Sequence, residues 1–330
     1  CLKSCHGGTW SATPDRMLSY IIRRLLGVIP VMVVVGVFVF SLLHLAPGDP
    51  AAIIAGDTAT QADIARIRTS LGLDRPLLEQ FSSWGWATLQ GDLGVSMFSN
   101  IAVTELVAQR MGPTFSLAVT TMLVAVVIAI TLGVLAAWKA GSLLDRAVMG
   151  LAVTGFSVPV FVVGYIMVYF VALKWRWLPV QGYMPMAEGF WPWLRHLILP
   201  SFALGLAYVA LIARITRASM LEVLAEDYIR TASAKGVSTV PMLLRHALKN
   251  AAVPIITVVG IGVALLISGV VITESVFNIP GIGRLVVDAI SRRDYPIIQG
   301  VMVIFAAIYV LINLVIDIMY SFIDPRIRYS

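Results

Sequence analysis

The sequence predicts an all-α integral membrane protein with six transmembrane helices. Of its 330 residues, 59% are hydrophobic and only 13% are charged, which is about half the charged fraction of an average soluble domain. Mostly apolar runs of about 18 or more residues recur, and each can cross a hydrocarbon layer about 30 Å thick as a helix. A transmembrane β-barrel would instead show short segments of alternating polarity. These observations exclude a single water-soluble core.

The six predicted spans are Leu25 to Leu45, Thr114 to Trp138, Ala147 to Leu173, Leu197 to Ala213, Val253 to Thr273 and Ile297 to Tyr320. Six crossings leave both termini on one side of the membrane. Arg23 and Arg24 precede the first span, and Arg326 and Arg328 follow the last, so the positive-inside rule predicts that both termini are cytoplasmic. The net charge of +6 therefore reflects topology and does not indicate a nucleic-acid partner.

The loops divide the chain into regions of different character. The predicted regions are a disordered N-terminal extension (1–16), the first transmembrane helix (17–46), a long external loop (47–112) and a five-helix core (113–330) that contains a cytoplasmic loop (214–252). A loop as long as 47–112 with helical spacing of its own is more often functional than filler. Contact with an external partner and a purely packing role both remain open for it.

A few residues inside or next to the spans have predicted structural roles. Asp317 is the only charged residue inside a predicted span, and we expect it to reach the inner interface or to pair with a basic neighbour such as Arg326. Pro159 and Pro200 are predicted to bend the third and fourth spans. The turn NIPGIGR (278–284) is assigned a structural role, followed by a short helix at LVVDAI.

The cytoplasmic loop 214–252 carries six basic side chains and no apolar stretch long enough to enter the bilayer. Helical spacing predicts one helix over 218–235. Its narrow apolar face consists of Leu221, Leu224, Tyr228 and Thr231. Gly236 is predicted to end this helix, because glycine adopts the left-handed conformation at little cost. A second helix is predicted to follow, with an apolar stripe at Leu244, Ala247, Leu248 and Ala251.

Small residues flank the predicted glycine turn at Ala232 and Ala234, where another surface can approach closely. Charged residues that would orient this surface are Glu226, Asp227, Arg230 and Lys235. Glu226 and Arg230 stand at the favourable i, i+4 spacing for an ion pair. This pattern favours a protein-docking element over the alternative of a plain amphipathic hairpin on the lipid surface.

The segment EDYIRTASAKG (226–236), followed by RHALKNAAVP (245–254), resembles the cytoplasmic EAA loop of permease subunits from ATP-binding-cassette (ABC) importers. The resemblance is closest to the B-type subunit of the oligopeptide, dipeptide, glutathione and nickel-chelate group, and it runs from Met17 to the end of the chain. Further matching segments are YIIRRLLGVIP, LAPGDP, LGLDRPLLEQF, GDLGVS, NIPGIGRLVVDAISRRDYPIIQG and NLVIDIMYSFIDPRIR. The broad importer consensus ends in Leu-Pro where this chain has Leu248-Lys249, a departure that resembles the peptide-type branch.

The resemblance implies the type I ABC importer transmembrane fold in a bacterial inner membrane. It implies that a partner ATPase is coupled to the chain through Glu226, Asp227, Arg230, Thr231, Ala232, Ala234, Lys235 and Gly236. The implied partners are a second homologous permease subunit, two ATPase subunits, a soluble or lipid-anchored binding protein, and membrane lipid. Short peptides are the expected cargo, and glutathione and a nickel or other metal chelate are the alternatives.

No catalytic, cofactor or metal site is predicted in this chain. It contains no G-x-x-x-x-G-K-[ST] loop, so ATP and Mg²⁺ are expected to bind to the partner ATPase subunits. The four histidines are scattered, and GFSVP around Ser157 is not a G-x-S-x-G elbow, which disfavours a membrane hydrolase. A secondary transporter is a less favoured alternative, because the predicted spans have no acidic residue near the bilayer midplane.

Overall fold

The computed structural model describes residues 14–45, 49–55, 59–70 and 72–323, and most of them are helical. The helices are α1 (Pro14–Leu45), α2 (Pro50–Ala55), α3 (Gln61–Ser70), α4 (Leu77–Leu89), α5 (Val103–Trp138), α6 (Leu143–Ser157), α7 (Val160–Met167), α8 (Phe190–Leu224), α9 (Asp227–Ala234), α10 (Thr239–Pro241), α11 (Leu248–Asn250), α12 (Ala252–Val276), α13 (Ile282–Arg292) and α14 (Tyr295–Ile323). Wider π-helical segments cover Val168–Lys174 and Met242–Ala247. Across these ranges, β structure is limited to a bridge between Val95 and Ala102.

Five of the helices, α1, α5, α8, α12 and α14, are long and apolar enough to cross a membrane. The third predicted span consists of α6 and α7 with its π-helical extension, and the two arms meet at an angle of 106°. Counting this pair as one span gives the six predicted spans. The predicted bend at Pro159 is confirmed: a proline pushes the residue before it out of the helical region, and Val158 is extended, with φ −87° and ψ 125°. In contrast, α8 continues through Pro200 without a break.

Three helices extend beyond the predicted boundaries. α1 begins at Pro14, inside the segment predicted as an extension, of which residues 1–13 lie outside the described part. α5 begins at Val103 and not at Thr114, because the buried Pro113 lies within the helix and does not start it. α8 continues to Leu224, so the cytoplasmic loop predicted to start at Arg214 starts inside a helix. The added first part of α5 packs against α13 and α14, where Val103 and Leu106 share a buried cluster with Leu285. The added last part of α8 packs against α5, where Met220 is clustered with Val134.

The central contact of the bundle joins α5 to α8. A Cβ atom added to Gly133 of α5 would lie 2.6 Å from the Cβ of Thr216 and 2.8 Å from the carbonyl oxygen of Ala213, both in α8. Only glycine therefore allows the two backbones to approach this closely. A cluster of buried apolar side chains continues from this pair of helices to α12.

Each end of the bundle carries a short helix, and we call the two ends the α9 end and the α13 end. The α13 end contains a buried carboxylate, Asp294, which precedes α14. Its Oδ2 accepts a hydrogen bond from the Ser96 hydroxyl at 2.6 Å, and its Oδ1 accepts one from the Met97 backbone N–H at 3.3 Å. Part of the predicted external loop 47–112 is thereby fixed to the last span.

A second buried carboxylate, Glu274 near the end of α12, holds the NIPGIGR turn. Its Oε1 accepts from the Thr114 hydroxyl at 2.6 Å, and its Oε2 accepts from the backbone N–H of Arg284 at 3.0 Å. The Thr114 oxygen in turn accepts from the Ile282 backbone N–H at 2.8 Å. A Cβ atom on Gly281 would overlap the Glu274 carboxylate. The structural role of this turn and the helix that follows it, α13, are confirmed.

Asp317 in α14 has a different partner from the predicted one. Its Oδ1 accepts from Arg24 Nη2 in α1 at 2.9 Å, whereas Arg326 lies outside the described residues. The ion pair therefore joins the first span to the last, which sequence spacing alone does not reveal because the two residues are far apart in the chain.

Candidate functional site

The eight predicted site residues lie on α9 or directly at its two ends, but the helix is shorter than predicted. The single helix expected over 218–235 is two helices: α8 ends at Leu224, and Glu226 is extended, with φ −70° and ψ 147°. α9 then begins at Asp227. Acidic residues stabilise a helix when they lie at its N-terminus, because the backbone N–H groups there have no partners within the helix. The pair Glu226-Asp227 was therefore a signal for this break.

Most of the α9 surface, which we define as Glu226, Asp227, Arg230, Thr231, Ala232, Ala234, Lys235 and Gly236, is exposed, and only Ala232 is half-buried. The side chains of Asp227 and Arg230 are 95% and 74% exposed. Arg230 Nη1 lies 3.2 Å from Asp227 Oδ1, so Arg230 pairs with Asp227 and not with Glu226 as the spacing predicted. An ion pair this exposed contributes little stability, and both groups stay available to another surface.

Gly236 ends α9 as predicted. Its φ is +80°, and its backbone N–H donates to the Ser233 carbonyl at 2.9 Å while the next residue, Val237, donates to Ala232 at 3.2 Å. These two bonds form a Schellman motif, which needs a left-handed residue at this position. The turn leaves Lys235 exposed at the C-terminus of α9, where a positive charge is favourable.

Ile229 is the one buried residue of α9, with 4% of its surface exposed. The predicted apolar face was wrong here, since Tyr228 is 42% exposed and Thr231 is also exposed. Ile229 belongs to a cluster with Val134 of α5, Met220 of α8 and residues of the following segment up to Ile255 of α12. α9 packs against the π-helical segment Met242–Ala247, and the cluster that contains Ile229 continues from there to side chains of three spans. The break at Glu226 rotates α9 relative to α8, which explains why one continuous stripe does not predict the buried residue.

The second helix of the loop is irregular and consists of α10, the π-helical segment Met242–Ala247 and α11. Its buried side chains are Leu243, Ala247 and, just beyond α11, Ala251. The predicted stripe was therefore right at Ala247 and Ala251 but wrong at Leu244, which is 54% exposed. Asn250 Nδ2 donates to the Tyr228 hydroxyl at 2.8 Å, so this segment is also bonded to α9.

The α9 surface is suited to docking. Its acidic residues lie at the N-terminus and its exposed lysine at the C-terminus, so a partner meets opposite charges at the two ends of a short helix. The small side chain of Ala234 leaves the backbone between these charges accessible. Among the residues described by the structure, no group of three or more His, Cys, Asp and Glu side chains could hold a metal ion.

A buried ion pair between α6 and α8 was missed in the sequence. Asp145 of α6 accepts from Arg217 of α8 through both oxygens, at 2.5 Å from Nε and 2.7 Å from Nη2. Their side chains are 6% and 27% exposed. Asp145 also accepts from the Gly141 backbone N–H at 2.9 Å, and its own N–H donates to Ser142 Oγ at 3.4 Å. The S-x-x-D helix-start pattern at Ser142 signals the cap, but nothing in the sequence identifies Arg217 as the partner.

We expect Arg217→Gln and Asp145→Asn each to destabilise the chain by about 1–3 kcal/mol, because each leaves a largely buried charge without its partner. The double variant should cost less than the sum of the two single variants. Thermal unfolding in detergent measures these effects. The matched control is Arg68→Gln, which breaks the more exposed pair Arg68–Asp49 (side chains 47% and 29% exposed) and should cost at most about 1 kcal/mol. Additive losses in the double variant would contradict a direct coupling.

Comparison with known proteins places the chain in a family. Residues 129–329 match the family described as binding-protein-dependent transport system inner membrane component. Residues 17–118 match the family described as binding-protein-dependent transport system membrane component, N-terminal. Together the two matches cover most of the chain.

Relatives over nearly the full length include a probable peptide ABC transporter permease protein of Sinorhizobium fredii (strain NBRC 101917 / NGR234), 58% identical over 94% of this chain and 99% of that protein. A glutathione transport system permease protein of Escherichia coli (strain K12) is 44% identical over 95% of this chain and all of that protein. Among solved structures, the MetNI methionine ABC transporter in an inward-facing conformation has a TM-score of 0.55 at 17% identity, covering 66% of this chain and 96% of that one.

The structural likeness confirms the fold predicted from the resemblance, a type I ABC importer transmembrane fold. The sequence matches cover more of the chain than the structural likeness does, since they include both the N-terminal region and the five-helix core. The chain belongs to the family of binding-protein-dependent transport system inner membrane components, within the peptide and glutathione branch of ABC importer permease subunits.

Proposed function

We propose that this chain forms half of the translocation pathway of an ATP-driven importer of short peptides, and that a partner ATPase docks on the α9 surface. The observation that carries the proposal is the way α9 packs against the rest of the bundle. Its polar side faces solvent, and its buried Ile229 is clustered with side chains of α5, α8 and α12. A force applied by a docked partner would therefore pass through this cluster to three membrane spans.

The remaining parts of the machine belong to other subunits. A second homologous permease subunit completes the pathway, two ATPase subunits bind ATP and Mg²⁺, and a soluble or lipid-anchored binding protein delivers cargo. The family description, which names dependence on a binding protein, supports the last of these partners. Six spans in the bacterial inner membrane, with both termini and the α9 end in the cytoplasm, would bring α9 within reach of the ATPases.

Alternating access follows from this arrangement. ATP-driven closure of the two ATPases would move α9 together with the ends of α5, α8 and α12, because Ile229 belongs to a buried cluster that includes side chains of all three. The inward opening would close and the α13 end would open towards the binding protein. Release of the hydrolysis products would reverse the movement.

Short peptides are the proposed cargo because the peptide permease relative is 58% identical to the chain, compared with 44% for the glutathione permease of Escherichia coli. Glutathione is the main alternative, and a nickel or other metal chelate is a further one. Selectivity is expected to reside largely in the binding protein.

An uptake assay tests the proposal. The chain and its partner subunits are expressed in a strain that lacks its own peptide and glutathione importers, and labelled dipeptide, pentapeptide, glutathione and nickel chelate are supplied separately. We expect ATP-dependent accumulation of peptide, lost when the phosphate-binding lysine of the partner ATPase is replaced. Accumulation of glutathione or nickel alone would overturn the peptide cargo. Uptake that survives the ATPase variant and collapses with a proton uncoupler would identify a secondary transporter.

A further inference from the structure

The helix α4, in the loop predicted to be wholly external, runs along the membrane-spanning part of α1. His44 of α1 lies 3.2 Å from Gln80 (Nε2 to Oε1). The ring of Phe40 is 5.3 Å from that of Phe81 and 5.8 Å from that of Trp84, measured between centroids. Towards the end of α4, its residues thus contact α1 at positions that lie further and further from Leu45.

The contact reaches well inside the membrane span of α1. A Cβ atom on Gly36 would lie 3.8 Å from the Trp84 ring, and Gly36 precedes Leu45, the end of the candidate span Arg24–Leu45, by about 13 Å of helix at 1.5 Å per residue. The neighbouring surface of α1 is apolar and exposed, with Val33 at 53% and Val37 at 48%. α4 therefore lies beside an exposed apolar surface of a candidate membrane span.

The side of α4 that faces away from α1 is also apolar, except for Ser82, whose hydroxyl donates to the backbone carbonyl of Glu79 at 3.1 Å. Leu78 is 83% exposed, Leu89 82% and Trp86 65%, and at 100° per residue these three residues share one arc of the helix. The exposed Glu79 and Ser83 lie on a separate polar arc. With 13 residues, α4 is about 20 Å long and too short to cross a membrane.

We propose that α4 is an interfacial membrane helix, embedded in the leaflet that surrounds the Leu45 end of α1. Leu78, Trp86 and Leu89 contact lipid acyl chains, and Glu79 and Ser83 face the headgroups. The occupant is lipid, because the apolar arc of α4 continues the lipid-facing surface of α1 and carries a tryptophan, which prefers the headgroup boundary. In the predicted orientation this is the outer leaflet, so the loop that contains α4 is tied to the membrane.

Collision accessibility of spin labels tests this inference. In a background with Cys1 and Cys5 replaced by Ser, a nitroxide is attached in turn to Leu78→Cys, Leu89→Cys and, as the polar-arc control, Ser83→Cys. The intact complex is reconstituted in nanodiscs of phosphatidylethanolamine and phosphatidylglycerol. We expect the ratio of collisions with oxygen to collisions with a water-soluble nickel complex to be at least threefold higher at positions 78 and 89 than at position 83.

Each other result would overturn the inference. Dominant collisions with the nickel complex at positions 78 and 89 would place the apolar arc in water. Protection of both positions from both reagents would show that a protein subunit covers it. The two apolar positions report independently, so a labelling or assembly failure at one leaves the other. The ratio is measured without cargo or ATP, so its value does not depend on whether the proposed transport function is right.

Discussion

Gly236→Val is expected to abolish transport-coupled ATP hydrolysis while leaving membrane insertion unchanged. Gly236 has a φ of +80°, and no atom lies within 4 Å of an added Cβ, so the effect would come from backbone strain and not from a clash. A β-branched residue in the left-handed region costs about 1–3 kcal/mol. The chain can relieve this strain by giving up the two bonds of the Schellman motif, which would displace the C-terminal half of the α9 surface.

The control for Gly236→Val is Gly91→Val, just after α4. Gly91 has a φ of +85° and equally open space around it, and the same pair of backbone hydrogen bonds ends its helix, so valine imposes the same strain away from α9. ATP hydrolysis stimulated by loaded binding protein and uptake are measured in proteoliposomes for both variants, after the amount of inserted chain has been matched. Normal uptake by Gly236→Val would remove α9 from coupling. Equal losses in both variants would assign the effect to strain alone.

Gly281→Ala is expected to destabilise the α13 end of the bundle by roughly 2–4 kcal/mol, since two hydrogen bonds to a buried carboxyl group are at stake. The new Cβ would occupy the position of the Glu274 carboxylate. Glu274 is fully buried, so its carboxylate can move away only by losing its bonds to Thr114 and Arg284. A lower melting temperature in detergent and reduced uptake are the expected measurements.

A double-mutant cycle with Glu274→Ala identifies the cause of that loss. Without the carboxylate there is nothing for the new methyl group to displace, so Gly281→Ala should add little to the cost of Glu274→Ala. Gly112→Ala, in α5 and close to Thr114 in sequence, is the control, because no atom lies within 4 Å of its added Cβ. A full additional loss in the Glu274→Ala background would contradict the explanation.

Features that depend on local sequence could be predicted. The six spans follow from long apolar stretches, the elbow at Pro159 from the geometry of proline, and the end of α9 at Gly236 from the conformational freedom of glycine. The grouping of the eight candidate site residues could also be predicted, because they are neighbours in the chain. Each of these features is determined by one continuous stretch of sequence, so no knowledge of the tertiary fold was needed.

Features that depend on contacts between distant segments could not be predicted. Arg24 pairs with Asp317 and Asp145 pairs with Arg217, and only the arrangement of the helices brings these residues together. The prediction of the buried side of α9 was wrong for a similar reason. The break at Glu226 changes the direction of the helix, so the apolar stripe that begins at Leu221 does not continue. Glu274 was overlooked because the predicted span ended one residue before it.

The elbow between α6 and α7 has a consequence for how the third span can move. Its first turn is tethered to α8 through Asp145 and Arg217. Its second arm lies against the end of α12, where a Cβ on Gly164 would be 3.2 Å from both Val276 and Phe277. Both arms pack against α8, and the second arm also packs against α12. A shift of α12 relative to α8 would therefore act mainly on the second arm, and it would be taken up at Val158-Pro159, where the two arms meet.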